Sequence, residues 1–378
     1  MGLVQITEDY PWDAVAPYAT RARAHPDGIV DLSIGTPVDD TPLVIQEALA
    51  KSANAPGYPT SHGTPELRAE VVSWFERIRG VRGLSPEAVL PTIGSKEMVA
   101  LLPSLLSIGP GDVVVVPTLA YPTYAVGAEL AGAQILWADD VDQWAGNPAV
   151  KLVWVNSPSN PSGAVLGTEV LAETVQEARR LGAVVASDEC YATLGWDVPW
   201  NFEPIPSLLD ERVSGGNNEG LLVAYSLSKQ SNLAGYRAAF LAGDEALIAR
   251  LLLMRRHMGM MIPAPVQAAM IAALQDDEHT AAQRRLYESR RARLVPVLKQ
   301  AGFAIDHSEA GLYLWVRPAP DSALAGEDCW GLMSVLAEWG ILGGPGAFYG
   351  AAGAGHVRLS LTATDERISS AAARLTRR

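Results

Sequence analysis

A chain of 378 residues, 48% hydrophobic and 19% charged, amounts to about two domains of ~150 residues and can bury a core without disulfides or metals. Its 29 basic against 42 acidic side chains leave a formal charge of −13, a field that repels phosphate backbones and argues against nucleic acid as a partner. Two distant cysteines, Cys190 and Cys329, exclude a disulfide scaffold or structural zinc site and suit a reducing cytosol.

The first residues are acidic, with Glu8, Asp9 and Asp13 and no apolar run, so no signal peptide is expected. Gly2 lacks the Ser or Thr that myristoylation requires four residues on, and a cytoplasmic protein is expected. Pro11, Pro17, Pro26, Pro37 and Pro42 rule out one regular element here and predict a segment that wraps the others. From about Val89 to Gly243 short β-branched runs alternate with helical stretches. The runs are Val113-Val116, Gln134-Trp137, Leu152-Val155, Ala183-Ala186, Leu221-Ala224 and Ala238-Leu241. The helical stretches are Glu97-Leu106, Tyr124-Ala131 and Glu169-Leu181. Near-continuous apolar strands separated by helices predict a mostly parallel sheet covered on both faces, with ligands at the carboxyl ends of its strands. The longest uncharged stretch, Met258 to Gln275, carries Pro263, Pro265 and Gln267; it predicts a loop and a buried helix rather than a membrane span. Beyond it come a helix over Ala281-Ala301, strands over Phe303-Asp306 and Leu312-Val316, and a helix over Asp328-Trp339. The strand His356-Leu361 and a last helix complete what reads as a second, α+β domain.

The candidate chemistry falls at predicted strand ends. Gly94-Ser95-Lys96-Glu97 opens a helix, where free N–H groups and the helix dipole make an anion site; a plain Ser N-cap is the simpler reading. Neither a Walker loop nor G-x-G-x-x-G is present. Asn156 to Gly163, with Asn160, is either a tight turn or a rigid way to aim an amide at a ligand. In Ser187-Asp188-Glu189-Cys190-Tyr191, a carboxylate and a phenol three residues apart can address one ring, unless Ser187 or Asp188 merely caps a helix. Cys190 between them reads as a small buried residue.

Only five basic residues are lysines: Lys51, Lys96, Lys151, Lys229 and Lys299. Lys51 and Lys299 fall on polar helix faces, Lys151 on a loop edge and Lys96 beside the anion site. Lys229, in Ser226-Leu227-Ser228-Lys229, follows a buried strand among hydroxyls. Desolvation there lowers a lysine pKa and favours the free amine that Schiff-base chemistry needs; the alternative is a lysine snorkelling from a loop. Alternation over His356-Leu361 sets Arg358 and Ser360 opposite Val357 and Leu359. That is an ordinary solvated face unless a carboxylate ligand lies opposite. The six histidines show no ligand spacing, so no metal is expected.

Together these residues describe a pyridoxal phosphate (PLP) site, and the sequence resembles the class I/II aminotransferases of PLP fold type I from Leu32-Ser33-Ile34-Gly35-Thr36-Pro37 to Arg358. The family's N-P-x-N-P-x-G is present as Ser157 to Gly163, departing at its first position; its D-E-x-Y is Asp188 to Tyr191, and its S-x-S-K then G-x-R are Ser226 to Lys229 and Gly235 to Arg237. The resemblance implies an α/β fold in which a mostly parallel seven-stranded sheet between helices forms a large PLP-binding domain over 46–255. A segment over 1–45 then packs on a smaller α+β domain over 256–378.

It also implies site roles. Lys229 carries the cofactor, Asp188 pairs with the ring nitrogen, and Tyr191 and Asn160 bond to the 3-oxygen. Tyr121, in Ala120-Tyr121-Pro122-Thr123-Tyr124, stacks on the ring; Ser95, Lys96 (both through backbone N–H), Ser226 and Arg237 hold the phosphate. Gly35 and Arg358 bind the substrate α-carboxylate, with Asn160 beside them. Tyr58, in Gly57-Tyr58-Pro59, reaches the phosphate of a partner subunit, which implies a homodimer with shared sites; a core tyrosine capped by Pro59 is the bland alternative.

The implied activity is transamination of small amino and 2-oxo acids. The run of sequence, including Ser61 to Arg68 and Pro91 to Glu97, looks most like actinobacterial succinyldiaminopimelate aminotransferases of lysine biosynthesis. That implies glutamate as donor and N-succinyl-2-amino-6-oxopimelate as acceptor, with a further cation for the distal carboxylate; Arg21, Arg23, Arg255 and Arg256 are candidates or simply surface residues. The same motifs serve aspartate, alanine and LL-diaminopimelate aminotransferases and C–S lyases. A transcription regulator on this fold would need a DNA-binding domain before Leu32, for which there is no room.

Overall fold

The structure, a computed structural model, describes residues 11–377; the readings of Gly2, Glu8 and Asp9 lie outside the described residues. Helix α1 (Ala16–Arg23), strand β1 (Val30–Asp31) and helices α2 (Leu43–Lys51) and α3 (Pro65–Arg79) lead into the alternating stretch. This runs through β2 (Val89–Ile93), α4 (Ser95–Leu105), β3 (Val113–Val116), α5 (Thr123–Ala131), β4 (Gln134–Trp137), β5 (Val150–Asn156) and α6 (Thr168–Leu181). It continues through β6 (Val184–Asp188), α7 (Glu211–Ser214), β7 (Leu221–Ser226), α8 (Leu227–Gln230) and β8 (Ala238–Gly243). Then come α9 (Glu245–Met258), α10 (Ala264–Gln275), α11 (Asp277–Gln300), β9 (Phe303–Asp306) and β10 (Tyr313–Pro318). Last are α12 (Cys329–Glu338), β11 (Ile341–Leu342), β12 (Gly344–Pro345), β13 (Val357–Ser360) and α13 (Asp365–Thr376).

Seven strands form one sheet in the order β2-β8-β7-β6-β5-β3-β4. All run parallel except β8, which is antiparallel to both neighbours. The six apolar runs are all strands of it. The seventh, β2, gives no such run because Pro91 interrupts it; proline is tolerated because β2 is an edge strand with β8 as its one partner. Along the central strands successive side chains enter opposite cores. Val113, Val115, Val153, Val155, Val185 and Val223 face one, and Val114, Val116, Leu152, Trp154, Leu222 and Ala224 face the other. That is why these strands read as unbroken apolar runs. Helices α2, α3, α6 and α10 supply the first core, and α4, α5 and α9 the second. Thus α10 lies against the large sheet although it falls beyond residue 256.

A third core gathers around the antiparallel sheet β12-β13-β10-β9 with α11, α12 and α13. Val15, Ala19, Val30 and Leu32 of the N-terminal stretch enter it, and so do Cys190, Tyr191, Leu194 and Trp196 from the loop after β6. The end of the large sheet's central strand is therefore packed directly on the third core.

Strand ends run further than the apolar runs suggest. Strands β6 and β7 extend to Asp188 and Ser226, so neither Ser187 nor Asp188 caps a helix. Gly94 occupies the N-cap of α4 and makes no side-chain cap, which removes the Ser N-cap reading of Ser95. Lys151 lies within β5 rather than on a loop edge, its amine donating to Pro148 O at 2.9 Å.

Candidate active site

Strand register brings the predicted residues to one edge of the sheet. In the ladder Asn156 lies opposite Asp188, and Asp188 opposite Ala224, two residues before Ser226. Ser226 pairs with Ala239 across β8, and Ala238 with Ile93. Ser95, Ser226 and Arg237 therefore share one corner.

That corner is built for an anion. Gly94, at φ 73°, donates its N–H to Arg237 O at 2.8 Å. Arg237 itself adopts a left-handed φ of 55°, uncommon for a non-glycine residue and worth a functional explanation. Its guanidinium lies on Gly94, where an added Cβ would stand 1.9 Å from Nη2. Ser226 caps α8 by accepting the Ser228 N–H at 3.2 Å, and the two hydroxyls are 2.8 Å apart. The exposed side chain of Lys96 leaves only its backbone to the corner.

Next to it, Asp188 is held on both oxygens: Tyr124 donates to Oδ2 at 2.9 Å and the Cys190 N–H to Oδ1 at 3.1 Å. Burial raises its pKa, and these neutral donors only partly offset that. Asn156 donates to Asp188 O at 3.0 Å and to Pro158 O at 3.2 Å, and accepts the Asn160 N–H at 2.7 Å. The adjacent Glu189 forms a fully buried ion pair with Arg79 at 2.8 Å, which pins the strand end from behind. Burial pushes the Cys190 thiol well up, so it is no thiolate nucleophile.

Lys229 sits on the short helix α8, where its amine donates to Gly35 O. Burial lowers its pKa, and Arg358 and Arg237 add to the effect against Tyr313 and Cys190. Arg358 is buried, not on a solvated face. Its Nη1 donates to Asn160 Oδ1 and its Nη2 to Ser33 O, both at 2.8 Å. Its carbon Cζ lies 3.9 Å from the ring centre of Tyr313 and 4.9 Å from that of Tyr349, while Nε is buried without a partner. Gly35 is needed as glycine because a Cβ there would stand 2.2 Å from the Tyr313 hydroxyl.

Tyr121 flanks the same region, edge-on to Tyr124 at 5.9 Å. Tyr58 stands apart on the loop between α2 and α3 and is 98% exposed, which excludes a core tyrosine capped by Pro59. Arg255 is neither surface nor free: it is fully buried and ion-paired with Glu97. Arg21 pairs with Glu338 at the surface at 3.6 Å, and Arg23 and Arg256 are exposed.

Three residues of the site lie beyond what the sequence patterns single out, and Asn156, which opens the candidate turn, has no role of its own in them. Tyr124 lies inside a quoted motif, three residues past Tyr121. Tyr313 and Tyr349 carry no local signal, because β10 and the turn before Gly350 meet Arg358 only through the tertiary fold. Among the described residues no group of His, Cys, Asp or Glu is arranged to hold a metal, and no helix is long and apolar enough to cross a membrane.

Residues 27–375 match the family model described as aminotransferase class I and II. The chain is 53% identical to the 4-dedimethylamino-4-oxo-anhydrotetracycline transaminase OxyQ of Streptomyces rimosus, over 97% of this chain and 99% of that one. A probable aminotransferase of Mycobacterium tuberculosis is 54% identical over 97% of this chain and 85% of its own length. Among solved structures, a probable N-succinyldiaminopimelate aminotransferase from Thermus thermophilus superposes with a TM-score of 0.85 at 29% identity, covering 97% of this chain and 99% of that one.

Proposed function

The chain belongs to the class I and II aminotransferases, which work with pyridoxal 5′-phosphate, and we propose that it moves the amino group of glutamate to a 2-oxo acid. The observation that carries this reading is Arg358: a buried guanidinium, fixed at both Nη atoms, with Nε unpartnered. A planar carboxylate satisfies such a fork.

The residues present fit the cofactor. The Gly94 corner with Ser95, Ser226 and Arg237 suits its phosphate, the carboxylate of Asp188 its ring nitrogen, and the desolvated amine of Lys229 its aldehyde. When bound, the group supplies an electron sink that acidifies the Cα–H of an amino acid. Lys229 Nζ, biased by burial toward its neutral form, would take that proton from Cα and deliver it on the cofactor side; general base catalysis of this kind contributes ~10²–10⁴. Asp188 would hold the positive end of the ring, Tyr191 and Asn160 would bond to its 3-oxygen, and Tyr121 would stack on the ring. Arg358 and Gly35 orient the substrate carboxylate so that Cα stands next to Lys229.

For the acceptor we propose N-succinyl-2-amino-6-oxopimelate, which places the enzyme in diaminopimelate and lysine biosynthesis in the cytoplasm; likeness to the Thermus thermophilus structure supports this. The 53% identity to OxyQ favours a second reading, a polycyclic oxo acceptor. An amino-transfer screen with glutamate as donor decides between them, using the succinylated oxo acid, 4-dedimethylamino-4-oxo-anhydrotetracycline, oxaloacetate and pyruvate as acceptors. The succinylated acid is expected to show the highest kcat/KM. A higher value for the tetracycline compound would replace the first reading with the second.

We also propose a homodimer whose sites are shared through Tyr58, because a tyrosine left 98% exposed by its own chain is free to reach the phosphate of a neighbour. Tyr58→Ala should weaken cofactor retention by roughly 10–100-fold, the loss of one charge-assisted hydrogen bond. Unfolding and refolding it together with Lys229→Ala should restore activity at limiting cofactor. Random pairing makes about half the dimers mixed, each with one intact site, so about a quarter of wild-type activity is expected. No recovery from mixed dimers would place Tyr58 outside the partner's site.

A further inference from the structure

A second buried phenol stands behind Tyr191. Tyr313, at the start of β10, brings its hydroxyl to 3.2 Å from that of Tyr191, and either can donate. Its ring carries the guanidinium of Arg358, and its oxygen fills the space beside Gly35. The groups that face it are Arg358 from β13, Lys229 from α8, Asp188 at the end of β6 and Tyr191 from the loop after it, and Tyr349 from the turn before Gly350.

These neighbours polarise the pair. Burial raises the pKa of Tyr191 well above its ordinary value, and Tyr313 adds to the rise. Burial acts the same way on Tyr313, but the positive charges of Arg358 and Lys229 together with the hydrogen bond to Tyr191 outweigh it and bring the phenol below its ordinary value. Tyr313 is thus the better donor of the two and Tyr191 the better acceptor. Each hydroxyl has one proton and two lone pairs. Once the Tyr191 proton is committed to the cofactor's 3-oxygen, its lone pairs are left to accept, and Tyr313 is the phenol at hydrogen-bond distance.

We propose that Tyr313 is a positioning residue that donates its hydroxyl proton to Tyr191 while Tyr191 donates to the 3-oxygen of the cofactor, so that the two phenols act as one chain. The proposal rests on the reading that Tyr191 faces that oxygen. In such a chain each bond polarises the next and strengthens it by about 10–30%. A stronger donor at the 3-oxygen drains the negative charge that holds a proton on the nitrogen joining Lys229 to the cofactor. The chain therefore lowers the pH at which that nitrogen deprotonates.

The test is the visible absorption of the bound cofactor against pH, in the wild type, Tyr313→Phe, Tyr191→Phe and the double variant. Tyr313→Phe keeps the ring beneath Arg358 and removes only the hydroxyl. Its midpoint is expected to rise by roughly 0.2–0.4 pH units, that of Tyr191→Phe to rise further, and the double variant to match Tyr191→Phe alone. A wild-type midpoint in Tyr313→Phe while Tyr191→Phe shifts overturns the proposal, as does a double variant that adds the two shifts. No shift in either single variant overturns the placement of Tyr191 on the 3-oxygen, and the chain with it.

Discussion

Lys229→Ala is expected to cut amino transfer by at least about 10⁴, the upper range of a lost general base, while leaving the protein folded. The hydrogen bond given up is the one to Gly35 O, a net contribution of about 1 kcal/mol. Part of that is offset because a desolvated amine is removed as well. The assay is single-turnover transfer from glutamate alongside a thermal melt. Borohydride reduction of the wild-type holoenzyme, followed by peptide mapping, should find the cofactor on Lys229. A label on Lys96 would reassign the chemistry to the anion corner.

Asp188→Asn should separate stability from activity. Burial raises the carboxyl's pKa, with the Cys190 and Tyr124 bonds only partly offsetting it. A folded pKa above the unfolded one favours folding only while the group is protonated. The stability contributed is present in acid and lost as pH rises through the folded value. At neutral pH the cofactor-free protein thus carries a buried anion at a cost, and a positive ring nitrogen is what the site lacks. The asparagine variant should melt higher than the wild type without cofactor at pH 7, with the difference shrinking toward pH 4. It should gain less from added pyridoxal phosphate and turn over ~10²–10³-fold more slowly, the loss typical of one preorganised electrostatic partner. Near-normal turnover would remove Asp188 from the ring nitrogen.

What the amino-acid sequence makes legible is local chemistry. Lys229 stands out because lysines are few and this one follows a buried strand among serines. Asp188 and Ser226 mark strand ends, although the apolar runs stop short of both and the strands continue to include them. The seven-stranded sheet is legible in six apolar runs, whereas β2 is hidden by Pro91, whose tolerance depends on being at an edge. Arg358 looks like a solvated side chain, since alternation over a short strand carries no information on what covers the second face. Tyr313 is 122 residues from Tyr191, and nothing short of the folded β10–β13 pairing brings it to Arg358.

Two glycines of the site are fixed for different reasons, and this sets the order in which the site can change over generations. At Gly94 both the backbone, φ 73°, and the Arg237 guanidinium exclude a side chain, so no single change elsewhere opens the position. At Gly35 the backbone is unconstrained and the obstacle is the Tyr313 side chain, its hydroxyl at 2.2 Å and its ring carbons at 2.8 and 2.9 Å from an added Cβ. A lineage that trims residue 313 first gains position 35, next to the lysine and the arginine fork, as new ground for side chains; one that mutates residue 35 first meets a collision. Divergence of substrate preference through this wall has a direction, and the phenol is its gate.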